Sequence, residues 1–145
     1  MSLLSVLSVS ASGMSAQRTR AELLVENLAN AETTRTPEGG PYRRKDAIFT
    51  TSSETSPFGA VFQTEMDSGI TGVAVSDVIE DTREPEKRYM PGHPDADKDG
   101  YVAYPRVNPA EDMADLMGAQ RGYAGNVAAM TAIKDMIMRS IDLLK

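Results

Sequence analysis

Residues 109–145 read PAEDMADLMGAQRGYAGNVAAMTAIKDMIMRSIDLLK, and the periodicity of this stretch decides the fold. Leu116, Tyr123, Met130, Ile137 and Leu144 recur every seven residues, and Met113, Val127 and Ile141 each stand three residues before a member of that series. A seven-residue apolar repeat marks the seam of a coiled coil. The start of the helix is specified too. Asn108 can cap it, Pro109 suits the first helical position, and Glu111 stands three after the cap as in a capping box. Glu111, Asp112 and Asp115 lie near the positive end of the helix dipole and Arg139 and Lys145 near its negative end, the favourable polarity. A helix of these 37 residues spans roughly 55 Å. It cannot bury its stripe against a core this small and needs a long partner helix, from this chain or from neighbours.

Leu3 to Ala31 supply that partner. Leu7, Met14, Ala21 and Leu28 again repeat every seven, with Leu3, Leu4, Ala11, Leu24 and Val25 broadening the stripe. The remaining faces carry Ser2, Ser5, Ser8, Ser12, Gly13, Ser15 and Ala16, middling helix formers that are small enough for close backbone approach. An antiparallel hairpin within a monomer is one reading. Packing of both helices against other subunits is the sharper one, because small residues on several faces suit a crowded bundle. Gly118, Gly122 and Gly125, spaced four and three apart, cost about 1 kcal/mol of helix stability each and predict a close helix contact in such an assembly. With so many serines and glycines, helix propensity alone is not expected to hold either terminus before partners arrive.

Between the helices the pattern changes. Thr33 to Tyr42, TTRTPEGGPY, is a loop that ends the first helix near Ala31. Ala47 to Thr51, Ala60 to Met66, Gly72 to Ile79 and Tyr101 to Tyr104 read as short strands, Ser52 to Pro57 as a polar turn, and Glu84 to Pro94 as extended and irregular. The expected fold is α+β: long N- and C-terminal helices in a coiled-coil-like bundle with a small β-rich insert between them. The chain divides into residues 1–32 (N-terminal seam helix), 33–41 (loop), 42–107 (β-rich insert with extended loops) and 108–145 (C-terminal helix).

Composition narrows the function by exclusion. A net charge of −6, relieved only by the short Arg43-Arg44-Lys45 cluster, argues against a nucleic-acid partner. With no cysteine there is no disulfide framework and no thiolate metal site. No apolar run reaches the roughly 18 residues of a membrane span, and serines interrupt the N-terminus where a cleaved signal peptide would be continuously apolar. Asp95, Asp97, Asp99 and Gly100 match the opening of an EF-hand loop, but position twelve is Arg106 instead of a bidentate Glu, and Pro91, Pro94 and Pro105 oppose the flanking helices. An acidic turn is the favoured reading, and a calcium-binding interaction module is kept as the alternative. His93, the only histidine, has no nucleophile or ligand spacing around it and reads as a turn residue. Glu80, Asp81, Glu84 and Glu86 imply no apolar pocket to tune an acid/base pair. No catalytic, cofactor-binding or metal residue is assigned.

Three segments together resemble the axial proteins of the bacterial flagellum, most closely the proximal-rod group. Asn27-Leu28-Ala29-Asn30-Ala31-Glu32-Thr33 is similar to the NLANAxT signature of rod and hook proteins, and the loop from Thr34 to Lys45 resembles its proximal-rod form. Met90-Pro91-Gly92-His93-Pro94-Asp95-Ala96-Asp97, continuing to Gly100-Tyr101-Val102, resembles the group's PGHPDAD…GYV segment. Asp112-Met113-Ala114-Asp115-Leu116, then Arg121, Tyr123, Asn126 and Val127, resemble its C-terminal pattern, from which Gly118, Gly122, Gly125 and Arg106 depart. The resemblance implies a structural subunit, not an enzyme, without cofactors. It implies export through the flagellar type III apparatus without a cleaved signal peptide and a place in the rod crossing the periplasm. Its partners would be copies of itself and other rod proteins, the terminal helices forming an inner bundle around an export channel and transmitting torque. The implied assembly contacts are Leu7, Met14, Ala21, Leu28, Leu116, Tyr123, Met130, Ile137 and Leu144, joined by Asn27, Asn30, Gly118, Gly122, Gly125, Val127 and Ile141.

Overall fold

A computed structural model describes residues 3–52 and 71–143. Along the chain come α1 (Leu3–Ala29), β1 (Lys45–Ser52), β2 (Gly72–Glu80), β3 (Glu86–Tyr89), β4 (Tyr101–Tyr104) and α2 (Pro109–Asp142). The architecture is α+β, two long terminal helices with small antiparallel sheets between them.

The ends of both helices are set by local chemistry. At α2 the Asn108 side chain accepts the Ala110 N–H at 3.2 Å, Pro109 opens the first turn, Glu111 and Asp112 follow, and Arg139 sits in the last turn. At the end of α1 the Asn30 and Ala31 N–H groups reach the carbonyls of Glu26, Asn27 and Leu28, while the Asn30 side chain donates to Glu26 O (2.9 Å) and accepts from Thr33 Oγ1 (3.1 Å). The loop beyond turns through Gly39 and Gly40, whose φ values of 93° and 81° suit glycine.

The helices run antiparallel. Gly13 faces Asn126, Gln17 faces Gly122 and Arg20 bonds Asp115, so rising positions on α1 meet falling ones on α2. The α2 residues turned inward are Asp112, Ala119 and Ile133, all buried, with Asn126 against Gly13. They form their own seven-residue series, four positions ahead of the series expected to make the seam. Of the residues that the heptad repeat singles out, Leu116, Met130 and Ile137 are half-buried, while Met113, Tyr123, Val127 and Ile141 are exposed. The intramolecular seam is therefore rotated toward small and polar side chains, and most of the large apolar ones face outward.

β1 and β2 pair antiparallel from Lys45↔Glu80 to Ser52↔Gly72, with an irregularity between Ile48 and Phe49, where the Ser76 hydroxyl donates to Ile48 O (3.2 Å). This ribbon leans on α1, for the Val73 N–H donates to Ser12 Oγ at 3.0 Å. β3 and β4 form a second ribbon, Glu86↔Tyr104 to Tyr89↔Tyr101. The expected strands over Ala47–Thr51, Gly72–Ile79 and Tyr101–Tyr104 lie within β1, β2 and β4; the one over Ala60–Met66 is outside the described residues. β3 corrects the irregular reading of Glu84 to Pro94. All four of its residues are exposed, so no apolar alternation announces it.

The buried hydrophobic residues among those described, Ala16, Leu24, Tyr42, Val102, Ala119 and Ile133, are few, and Ser10, Asn27 and Asp112 are buried as well. Among the described residues no helix is long and apolar enough to cross a membrane.

Candidate assembly interface

The insert is fastened to the helices by two buried polar residues. Asn27, fully buried, accepts the Lys45 N–H on Oδ1 (2.9 Å) and donates Nδ2 to Lys45 O (2.9 Å), closing on β1 as a neighbouring strand would. The Tyr42 hydroxyl donates to the same Oδ1 at 2.9 Å. Burial, followed by the negative charge of Glu26, pushes the Tyr42 phenol up to about 12. Lys45 reaches Glu26 Oε1 at 2.6 Å, and this hydrogen bond raises its pKa. The first asparagine of the NLANAxT segment is thus a clamp between α1 and the start of the sheet, and the second is the end of the helix.

Asp112 makes the matching fastening on α2. Its side chain is 1% exposed and pairs through Oδ1 with Arg44 Nη2 at 2.9 Å. Among the described residues Asp112 Oδ2 and Arg44 Nε have no hydrogen-bond partner. Burial raises the Asp112 pKa, with the Arg44 cation the chief opposing influence. The sequence hint is an acid placed seven residues before Ala119, on the buried face. Arg20 and Asp115 (3.2 Å) add a half-exposed pair across the same end of the hairpin. Beside it a groove of about 310 Å³, lined by Arg20, Leu23, Leu24, Ala47, Phe49 and Asp115, opens between α1, β1 and α2.

The pseudo-EF segment is an acidic turn tied to the loop after α1. Asp97 Oδ1 accepts the N–H groups of Asp99 (2.9 Å) and Tyr101 (2.8 Å), while Asp95 Oδ2 accepts from Thr34 Oγ1 (2.8 Å) in the loop after α1. Gly100, at φ 82°, completes it under the Tyr89 ring. The carboxylates address different partners, and among the described residues no group of three or more His, Cys, Asp or Glu is placed to hold a metal. Asp81, held by Arg83 side-chain and backbone hydrogen bonds, is lowered to about 2.

Most residues singled out for assembly lie along the helices but on different faces. Leu7, Met14, Ala21 and Leu28 are half-buried, as is Asn30; Leu144 is outside the described residues. Gly122 meets Gln17, for a Cβ added at Gly122 would lie 3.2 Å from Gln17 Cδ, whereas among the described residues Gly118 and Gly125 have nothing within 4 Å of that position. The three glycines therefore do not share one neighbour. The outward faces of α2 also carry Met113, Met117, Tyr123, Val127, Met136, Met138, Ile141 and Leu143, the last 88% exposed. Apolar exposure on this scale over so small a core is the kind of surface on which protein contacts form.

A hairpin of terminal helices that clamps a β-rich insert and turns large apolar side chains outward defines an assembly subunit built to pack helix on helix. Comparison with known proteins agrees. The family described as flagellar basal body rod FlgEFG protein C-terminal matches residues 98–143. The chain is 37% identical over 152 residues to the flagellar basal-body rod protein FlgC of Borreliella burgdorferi, covering 100% of this chain and 99% of that one. It is 38% identical over 146 residues to the FlgC of Bacillus subtilis, covering 96% of each, and 35% identical over 144 residues to that of Salmonella typhimurium, covering 99% and 98%. The chain belongs to the FlgC family of flagellar basal-body rod proteins, which are structural proteins and not enzymes.

Proposed function

We propose that this chain is built into the proximal rod of the flagellar basal body by burying the outward faces of α1 and α2 against copies of itself and other rod proteins. The observation that carries the reading is the division of labour on α2, whose series of Asp112, Ala119, Asn126 and Ile133 faces inward while Met113, Met117, Met136, Met138, Val127 and Ile141 stay exposed. Such a helix makes its own hairpin and keeps a second apolar face for neighbours. The terminal helices form the inner layer around the export channel, the insert lies outside, and torque passes through the packed contacts. The subunit reaches this place in the periplasm through the type III export apparatus.

The absence of native cysteine makes the test direct. A strain lacking the chain is complemented with variants carrying one cysteine on α1 (Ala11→Cys) and one on α2 (Gly118→Cys), both exposed positions, and purified basal bodies are oxidised. Crosslinks between subunits support the reading. Complete rods in the strain lacking the chain would remove it.

A further inference from the structure

The turn between β3 and β4 contains the one histidine, and assembly through the helices leaves it unexplained. The Asp95 N–H donates to His93 Nδ1 at 3.1 Å, so that nitrogen presents a lone pair and the proton of the neutral ring sits on Nε2. This is the geometry of an Asx turn with an imidazole nitrogen in place of a side-chain oxygen. Asp95 in turn fastens the loop after α1, for its Oδ2 accepts from Thr34 Oγ1 at 2.8 Å and its Oδ1 lies 3.8 Å from Arg35 Nη1. His93 Nδ1 is 4.0 Å from Asp95 Oδ2, and both side chains are 26% exposed.

We propose that His93 is a proton-operated latch between the loop after α1 and the β3–β4 hairpin. Neutral, its Nδ1 accepts the Asp95 amide and leaves the Asp95 carboxylate to Thr34. Protonated, Nδ1 becomes a donor, the Asp95 N–H loses its acceptor, and the imidazolium draws the carboxylate away from Thr34 Oγ1. The charged groups beside the ring are Asp95 and, on the far side of its carboxylate, Arg35. Asp97 is engaged by the Asp99 and Tyr101 amides and stays with its own turn.

The test is single-amide hydrogen exchange by NMR on the full chain, corrected for the intrinsic pH dependence of exchange. Protection of the Asp95 amide is expected to fall by about tenfold, the scale of one neutral hydrogen bond, with the midpoint of the His93 ring titration, and the ring nitrogens above that midpoint should report the Nε2–H form. His93→Asn supplies a true Asx turn, so it should keep the protection and lose the pH dependence. His93→Ala should be unprotected at both ends of the range. Flat protection in the native chain, an Nδ1–H ring, or pH dependence surviving in His93→Asn each overturns the latch.

Discussion

Asn27 and Asp112 are both buried polar residues that tie the insert to the helices, yet they are satisfied to different degrees. Asn27 makes three hydrogen bonds. Asp112 makes one to Arg44, and among the described residues its Oδ2 has no partner; a buried pair of that kind is weak support for stability until one partner is removed. Arg44→Met should therefore destabilise the chain by about 3–5 kcal/mol, whereas Arg44→Met with Asp112→Leu should recover most of the loss. Burial already places the folded pKa of Asp112 above its unfolded value. The folded state thus holds a proton that the unfolded state releases, and this contribution declines as pH rises from about 4 through the folded pKa. Without the Arg44 cation the decline should steepen, so urea unfolding of Arg44→Met at acid and at neutral pH should show a larger gap than in the parent. Tyr42 sets the alkaline side. Its phenol titrates at about 12 in the fold and near 10 when unfolded, so stability present below pH 10 is lost as pH rises from there to about 12. Lys45, raised by Glu26, has the same sign. Tyr42→Phe should be less stable at neutral pH by about 1 kcal/mol for the lost hydrogen bond and show a shallower decline above pH 10; equal slopes would mean that Tyr42 does not govern the alkaline limb.

At the scale of elements, both helices and three strands are legible in the sequence because their signals are local: Asn108 and Pro109 at the start of α2, β-branched residues in β2, prolines and glycines after α1. The face of α2 that meets α1 is not. Apolar periodicity reports large side chains, but Ala119, Gly122 and Asn126 face α1 where Gly13 and Gln17 lie, and nothing in their hydrophobicity distinguishes them. Asp112 reads in the sequence as a dipole partner, and its burial depends on Arg44, 68 positions away in the chain. Asn27 is legible only as part of a signature, since its partners on Lys45 and Tyr42 require the folded loop. The glycines now carry separate expectations. Gly118→Leu and Gly125→Leu add bulk to open faces and should stabilise the isolated helix by up to about 1 kcal/mol each, yet block rod assembly if neighbours lie there. Gly122→Leu must displace Gln17 and should destabilise the hairpin itself. Thermal unfolding of the purified chains separates these effects, and a Gly118→Leu strain that swims normally would show that no neighbour closes on that face.

For the whole molecule, the proposed division into a terminal helical layer (residues 1–32 and 108–145) and an outer insert (42–107) requires two kinds of apolar contact on one helix. Ile133 is buried in the hairpin, and Ile141 is exposed beyond it. Ile133→Asp places an unpaired charge in the seam, which costs several kcal/mol and should lower the stability of the purified chain directly. Ile141→Asp falls on an exposed position, so purified chain should unfold within about 0.5 kcal/mol of the parent. In the cell the second substitution is the informative one. If neighbouring subunits cover the outer face, Ile141→Asp puts a charge into a packed interface, and rods should be missing although the subunit is exported at the parent level. Asp97→Asn is the control, because an asparagine oxygen still accepts the amides of Asp99 and Tyr101 and the turn should persist. Normal rods with Ile141→Asp, or rods lost equally with Asp97→Asn, would mean that the exposed stripe of α2 is not what joins one subunit to the next.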